Sequence, residues 1–446
     1  MSLLLTVALM LSLLLTVALM LSLLLTVSTA TPPDAAAWRP IRTLLENWQF
    51  TTEYAISIGT ADHGQLFVYE SGNFTMDQQI PTGSTSKWPS AMMFAGLVGD
   101  GTIRSLDDPV HEYLPYWTKH PLDARSHITL RHLLTFTSGF GDGHPGFEFN
   151  TRAARAWRAG RTPPRNNISR ECDLESGDTA KCAQSIYSGV KLIGVPGHVY
   201  SYNSNHLQLA AGVAVAASGL PIKEVVRRYL LQPFGLTDSY YEGRCPDFAG
   251  SLVTTGRDYE RFLHSLLSYR HPSPALIIES ERDGTPFLSD QYTLYGNYGF
   301  GHFLMCFDSA GGYTDACADA RSHFDPGAFG FIPVLDRKYG FYLNLVAAET
   351  APTGSYPLSG IPEYLAVGLK PHVEELPSRS EGGHTLPVVL RREPSSLAGD
   401  PLAAATAGGR ALAPQPGHRR PLPRRRQLRA RLPASPGLLR LSVEPE

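Results

Sequence analysis

Residues 81–101 read PTGSTSKWPSAMMFAGLVGDG, and the rest of the chain is interpreted outward from this stretch. A glycine-containing turn precedes Ser84, and the apolar residues that follow through Val98 predict a helix ending at residues 99–101. Pro89 lies near the first turn of that helix, where a proline is tolerated because the first N–H groups have no intrahelical acceptor. The stretch therefore predicts a serine displayed at the start of an apolar helix.

Ser84 and Lys87 form an S-x-x-K pair within this stretch. Residues three apart share a helix face, so the hydroxyl and the amine can meet. A serine hydroxyl becomes a good nucleophile only when a neighbouring base takes its proton, and a lysine can be that base only where its surroundings lower its pKa from about 10.4. The N–H groups at a helix start can also hold an oxyanion. A capping serine beside an exposed lysine would give the same pattern, so the pair alone does not establish an active site.

Strand-like runs flank a more helical middle. Short β-prone runs at 54–59 and 65–69 predict a hairpin. Further helices are predicted at 128–136, 207–217 and 360–367, and further strands at 299–306, 328–334 and 339–347. Strands at both ends with helices between them predict one sheet assembled from both ends and covered by a helical insertion.

Residues 128–140, ITLRHLLTFTSGF, closely resemble a segment of the class C β-lactamase-like serine hydrolases. That family also includes DD-peptidases, D-aminopeptidases and esterases. Other stretches resemble the family in the same order: LDDPV with YLP within 106–115, PG followed by YNSNH within 196–206, and SLVTTGRDY at 251–259. With the S-x-x-K pair this makes five blocks, which are far more specific together than any one alone. The resemblance covers about residues 40–370.

The resemblance implies an α+β fold of the β-lactamase/transpeptidase-like type, an α/β sandwich in which helices flank an antiparallel sheet. We expect one domain over 31–370, with its sheet drawn from 40–83 and 246–370. A mainly helical region is expected over 84–245. The active site is expected where the two parts meet, since pockets commonly form at such junctions.

The resemblance also implies roles for three residues. Ser84 matches the nucleophile that becomes acylated, and Lys87 matches the lysine that activates it. Tyr202 matches the tyrosine that passes a proton between nucleophile and leaving group. A core aromatic is the alternative interpretation of Tyr202, since Tyr200 stands two residues before it.

The Y-x-N motif departs from the family pattern at its third position. Ser204 stands where the family has an asparagine, so a hydroxyl replaces an amide. Asn205 comes one residue late and would substitute only if the backbone bulged. We expect both residues to line the substrate site.

The third family motif, [KH]-x-G, is best matched by residues 325–328, DPGA. Gly327 would allow a close backbone approach, and the Ala328 N–H would complete an oxyanion hole with that of Ser84. Asp325 replaces the cation that helps to hold a substrate carboxylate in the family. We expect Asp325 to repel penicillin-like acids, unless His323 supplies positive charge.

The resulting hypothesis is a secreted serine hydrolase that forms a Ser84 acyl-enzyme on an ester or amide, in small molecules or peptides. An esterase, amidase or peptidase is favoured over a true β-lactamase, and no cofactor is expected. The alternative is a catalytically silent relative that binds ligands. The net charge of −2 favours neither nucleic acid nor an anionic membrane as a partner.

Residues 2–27 repeat the unit SLLLTVALML without a charge, and small residues follow at 28–30. We expect residues 1–30 to be a cleaved signal peptide, with a retained membrane anchor or a gene-prediction artefact as alternatives. Asn73 and Asn167 lie in N-glycosylation sequons, which are useful only on an exported chain.

Four of the five cysteines form two close pairs, Cys172 with Cys182 and Cys306 with Cys317, and we expect both pairs to be disulfides. Cys245 is expected to be a buried free thiol. No Cys-x-x-Cys spacing or histidine cluster is present, so no metal site is expected.

Residues 371–446 contain no Phe, Trp, Tyr or Lys and are rich in Pro, Arg, Ala and Gly. Such a composition buries too little apolar surface to offset the entropy cost of ordering, about 1–2 kcal/mol per residue. We expect a disordered tail. Its basic run at 419–426 would suit nucleic acid or nuclear targeting, but neither is expected on an exported protein.

Overall fold

The structure is a computed structural model. It describes residues 36–48, 53–141, 148–149, 170–271, 273–282, 284, 297–305, 321–347, 360–376 and 388–392. The expected signal peptide, Asn167, Cys306 and Cys317 lie outside the described residues.

The main sheet is built from both ends of the domain, as the sequence predicts. β1 (Tyr54–Thr60) and β2 (Gly64–Ser71) form the predicted hairpin, and β1 also pairs antiparallel with β11 (Phe341–Ala347). The strand order is β12-β2-β1-β11-β10-β9-β8. The other strands of this sheet are β8 (Phe303–Met305), β9 (Ser322–Phe324), β10 (Ile332–Asp336) and β12 (Val388–Arg392).

Smaller strands lie beside the main sheet. A three-stranded sheet has the order β3-β7-β6, from β3 (Ile80–Pro81), β6 (Tyr240–Tyr241) and β7 (Leu252–Thr254). A two-stranded ladder joins β4 (Glu148–Phe149) to β5 (Tyr200–Ser201). β3 leads directly into the nucleophile turn, so this small sheet anchors the start of the site.

Helices cover both faces of the main sheet because its strands alternate between two apolar clusters. Tyr54 and Ile56 of β1 face the cluster that contains Leu45 of α1 (Arg39–Asn47) and Trp38, which directly precedes that helix. Leu365 and Leu369 of α9 (Gly360–Glu374) belong to the same cluster. Ala55 points the other way, into the larger cluster that includes the helical region. The two-residue period of a strand thus produces the predicted sandwich.

The helical region supplies most of the remaining helices. Their bounds are α2 (Lys87–Gly99), α3 (Leu130–Leu134), α4 (Thr179–Gly189), α5 (Asn205–Ser218), α6 (Ile222–Phe234), α7 (Gly256–Leu267) and α8 (Pro274–Ser280). Pro89 is the third residue of α2, so its missing N–H leaves no intrahelical hydrogen bond unmade. No single described helix has the length and hydropathy to cross a bilayer, and only the bent pair α5 and α6 passes that test jointly.

Secondary structure continues past residue 370, where the sequence analysis expects the disordered tail to begin. α9 continues to Glu374, with Val373 buried in the cluster on its face of the sheet. β12 then pairs in parallel with β2, Val388 beside Phe67. The average composition of residues 371–446 conceals a short Val-Val-Leu run at 388–390 that has the β propensity of a strand.

Candidate active site

The nucleophile turn places Ser84 at the entrance to α2. Gly83 adopts a φ of +60°, a conformation that residues with a side chain rarely adopt. It is the first residue of a 3₁₀ turn over Gly83–Ser86. A Cβ at Gly83 would lie 3.1 Å from the Phe329 ring. Thr82 is held by its N–H, which donates to the Leu252 carbonyl at 2.9 Å. The turn is therefore fixed between β7 and the segment that follows β9.

Lys87 meets Ser84 as the S-x-x-K spacing predicts. Its Nζ donates to Ser84 Oγ at 3.0 Å and to the Ala249 carbonyl at 2.7 Å. The Lys87 side chain is only 4% exposed, whereas Ser84 is half-buried and accessible. The Nζ also lies 4.4 Å from the centre of the Tyr202 ring. The structure thus brings together all three residues expected to perform the chemistry.

Tyr202, and not Tyr200, is the tyrosine beside Lys87. Tyr200 is 1% exposed and packs in the core, while Tyr202 is half-buried and stacks against Phe303, with ring centres 5.8 Å apart. The Phe136 ring lies 5.8 Å from the Tyr202 ring on another side. These aromatic neighbours restrict the orientation of the tyrosine ring.

Residues 128–140, ITLRHLLTFTSGF, pack against Tyr202 through the Phe136 ring. Thr129 and His132 form a capping box at the start of α3. Phe136 has a φ of +58°, a strained conformation for an aromatic residue, and its carbonyl accepts from the Ser201 N–H at 3.1 Å. The segment therefore fixes the turn that carries Tyr202.

Ser204 and Asn205 are both half-buried in the turn that follows Tyr202, and their expected place at the substrate site stays a prediction. Ser204 Oγ donates to Asp247 Oδ2 at 3.2 Å. Asn205 is the first residue of α5, with no bulge before it, and its amide donates to the Gly141 carbonyl at 3.1 Å. Asn203, which the sequence analysis passed over, is the buried amide that shapes this turn: it accepts from the Asn205 N–H at 2.9 Å.

Asp325 does not face the substrate, contrary to the prediction. It is fully buried, and its Oδ2 accepts the Trp88 N–H of α2 at 3.1 Å. Burial raises the pKa of the Asp325 carboxyl well above its usual value, against the opposing effects of Lys87 and of the Trp88 N–H. This carboxyl therefore supports the start of the catalytic helix and cannot repel a substrate acid.

His323 does not supply the missing cation either. It is 1% exposed, and its Nδ1 lies 3.0 Å from the Nε2 of His302, whose ring stacks on Trp88. Burial, with contributions from Arg337 and Arg321, lowers the pKa of His323 well below its usual value. His323 in β9 and Asp325 directly after it are thus both buried.

The backbone at Gly327 and Ala328 keeps the approach that the sequence predicts. A Cβ on Gly327 would lie 2.1 Å from the Thr82 carbonyl, so only glycine fits here. A Cβ on Gly83 would lie 3.4 Å from the Ala328 nitrogen, which places that N–H beside the nucleophile turn. The Ala328 nitrogen therefore lies close to the nucleophile turn, and its role with the Ser84 N–H in an oxyanion hole stays a prediction.

The cysteines and the sequons lie away from this chemistry. Cys172 and Cys182 are disulfide-bonded, as predicted, and Cys245 is a buried free thiol. The predicted Cys306–Cys317 bond lies outside the described residues. Asn73 is exposed in the turn after β2. No group of three or more His, Cys, Asp or Glu within the described part of the chain could hold a metal ion.

Comparison with known proteins places this site in a family. A model of the β-lactamase family matches residues 53–332, more than half of the chain, and the protein therefore belongs to that family of serine hydrolases. The comparison with curated proteins finds no match.

Solved structures show the same fold at low sequence identity. A putative β-lactamase from Bacteroides dorei has a TM-score of 0.55 and 22% identity, over 74% of this chain and 98% of its own. EstCE1, a hydrolase with promiscuous acyltransferase activity, has a TM-score of 0.54 and 15% identity, over 74% and 98%. A putative 6-aminohexanoate-dimer hydrolase from Bacillus anthracis has a TM-score of 0.51 and 15% identity, over 76% and 83%. These likenesses confirm the predicted β-lactamase-like fold.

Proposed function

We propose that this protein hydrolyses an ester or amide through a Ser84 acyl-enzyme and is an esterase, amidase or peptidase more than a β-lactamase. The observation that carries the proposal is the 3.0 Å hydrogen bond between Lys87 Nζ and Ser84 Oγ, with the Tyr202 ring beside it. Burying an amine costs free energy unless it is hydrogen-bonded. One of the two acceptors of the buried Lys87 amine is the hydroxyl of the expected nucleophile, which supports a hydrolase over a silent binding protein.

The reaction follows from these positions. Ser84 Oγ attacks the substrate carbonyl while Lys87 takes the serine proton. The negative oxygen is held by the Ser84 and Ala328 N–H groups. Tyr202 passes a proton to the departing alcohol or amine, and the C–O or C–N bond breaks. Water then attacks the acyl-enzyme and releases a carboxylic acid and free Ser84.

The loss of the third-motif cation supports the preference against β-lactams. Asp325 occupies the position of that cation but is buried, and His323 is buried beside His302. Neither side chain offers a positive charge to the carboxylate of a penicillin. Esters and amides without such a carboxylate require no cation at this position. The same fold occurs in a hydrolase with promiscuous acyltransferase activity, which is consistent with acyl transfer through Ser84.

Intact mass spectrometry tests the proposal directly. Exposure to a fluorophosphonate should add one phosphonyl group, and peptide mapping should place it on Ser84. Ser84→Ala should remain unlabelled. Ser90→Ala changes a fully buried serine further along α2, and the folded variant should still be labelled. A folded wild-type protein that takes no label would support the silent binding protein instead.

We further propose that the chain is exported and small-molecule or peptide substrates reach it outside the cytoplasm. The Cys172–Cys182 disulfide supports this, since such bonds persist in oxidising compartments. N-terminal sequencing of protein recovered from the medium of expressing cells should begin after Ala30. A full-length chain that stays with the membrane fraction would favour the retained anchor.

A further inference from the structure

Asp247 organises the loop between β6 and β7, from which the second hydrogen-bond partner of Lys87 comes. Its main-chain carbonyl accepts the N–H groups of Gly250 at 2.9 Å and Ser251 at 2.8 Å. Its Oδ1 accepts the N–H of Ala249 at 3.0 Å. Three consecutive N–H groups therefore converge on one residue, and the loop has a single defined shape.

The peptide between Ala249 and Gly250 is held from both sides. Its N–H, from Gly250, donates to the main-chain carbonyl of Asp247, and its carbonyl, from Ala249, accepts Lys87 Nζ at 2.7 Å. Because a peptide group is planar, fixing the N–H also fixes the direction of the carbonyl. The Asp247 side chain holds the preceding peptide, whose Ala249 N–H it accepts, so both peptide groups that flank the Ala249 Cα are fixed by Asp247. No hydrogen bond joins the Asp247 and Lys87 side chains among the described residues.

The second carboxylate oxygen of Asp247 reaches the tyrosine turn. Ser204 Oγ donates to Asp247 Oδ2 at 3.2 Å. A serine at a helix start usually caps the helix with its side chain, but Ser204 makes no such cap on α5. Its hydroxyl is committed to Asp247 instead. Asp247 thus connects the segment that carries Tyr202 to the carbonyl that receives Lys87.

We propose that Asp247 is a positioning residue for the reaction at Ser84. It fixes the Ala249 carbonyl so that Lys87 Nζ points at Ser84 Oγ, and through Ser204 it sets the distance between lysine and tyrosine. This inference rests on the proposed function. Its hydrogen bonds all come from uncharged donors, so the geometry of the acceptors, and not the negative charge, is what the site requires.

Two substitutions at Asp247 separate positioning from charge. Asp247→Ala removes both carboxylate acceptors and should lower kcat for a nitrophenyl ester, and the rate of fluorophosphonate labelling, about 10²-fold, the loss expected from a misplacement of about 1 Å. KM should change little. Asp247→Asn should recover most of both rates, because its oxygen can accept from Ala249 and its NH₂ can donate to Ser204 Oγ.

Asp173→Ala is the matched control. Asp173 Oδ1 also accepts two backbone N–H groups of its own turn, from Glu175 at 3.2 Å and Ser176 at 2.9 Å, but in an exposed loop. It should label and turn over as the wild type does. If Asp247→Ala fails to fold, Ser204→Ala removes one of the hydrogen bonds alone and should still slow labelling several-fold.

The outcomes distinguish this inference from the proposed function. A wild-type protein that is labelled at Ser84, together with an Asp247→Ala protein labelled equally fast, would overturn the positioning role and leave the hydrolase intact. Equal losses in Asp247→Asn and Asp247→Ala would show that charge matters and would also overturn it. A folded wild-type protein without labelling would overturn the hydrolase itself, and with it the role of Asp247.

Discussion

The two sides of the site differ in which atoms carry their chemistry. On the α2 side, the side chains of Ser84, Lys87 and Tyr202 meet one another directly. On the β9 side, the backbone near Ala328 faces the nucleophile turn, while the side chain of Asp325 is buried beneath α2. The three side chains expected to perform acyl transfer therefore meet at a site where neither Asp325 nor His323 offers a cation to a substrate carboxylate.

The largest expected effect concerns the α2 side. Ser84→Ala and Lys87→Ala should each nearly abolish ester hydrolysis, because the two residues act as a unit, and combined loss of such a unit is far from additive. The double mutant should be little worse than either single, measured as kcat/KM on a nitrophenyl ester. Losses that simply multiply would show that the two residues act independently.

A smaller loss is expected at the tyrosine. Tyr202→Phe keeps the ring against Phe303 but removes the hydroxyl, and it should lower kcat about 10²–10⁴-fold, a typical span for one general acid–base group. Tyr240→Phe, at an exposed tyrosine, serves as the control and should be unchanged. An active Tyr202→Phe protein would mean that the proton travels by another route.

Substrate choice tests the β9 side. Neither Asp325 nor His323 offers a cation there, so kcat/KM for small acyl esters should exceed that for penicillins and cephalosporins by at least about 10²-fold. A factor of that size corresponds to the loss of about one or two hydrogen bonds to a charged group. Hydrolysis assays with a nitrophenyl ester and with a chromogenic cephalosporin measure the ratio. Similar values for the two classes would mean that another residue recognises the carboxylate.

The smallest expected effect is a change in how the melting temperature depends on pH when Asp325 is replaced. Its folded-state pKa is raised by burial, so the folded protein binds a proton that the unfolded chain releases, and the stability from this group decreases as pH rises towards the folded pKa. Asp325→Asn keeps an acceptor for the Trp88 N–H without this titration. Its melting temperature should exceed that of the wild type by about 2–4 °C at pH 8, and the gap should close towards pH 4.

Asp62→Asn, at an exposed residue of the β1–β2 hairpin, is the control for that experiment and should follow the wild type at every pH. If the melting temperature of Asp325→Asn at pH 8 is lower than that of the wild type, the Asp325 carboxyl is not buried beneath α2 in its uncharged form.

The elements of the fold that depend on residues close in sequence could be predicted from the sequence. The β1–β2 hairpin follows from alternating apolar residues around a turn, and the contact of Ser84 with Lys87 follows from helix spacing alone. The pairing of β1 with β11 required only that strands at both ends must share a sheet.

The direction in which a side chain points could not be predicted in the same way. Whether Asp325 faces the substrate or the core depends on how β9 packs against α2, and no local pattern records that. Asp247 was missed because its role consists of hydrogen bonds to backbone groups and to Ser204, 43 residues away in sequence.

The pairing of β1 with β11 has a consequence for how the chain is made. Thr60 lies opposite Phe341, so one edge of the first hairpin stays open until roughly 280 further residues have been synthesised, which takes on the order of tens of seconds at about 5–20 residues per second. An unpaired edge of this kind invites pairing with other chains. The yield of folded protein should therefore depend on how well that edge is shielded during synthesis, and slower translation or crowded expression should favour aggregates seeded at β1.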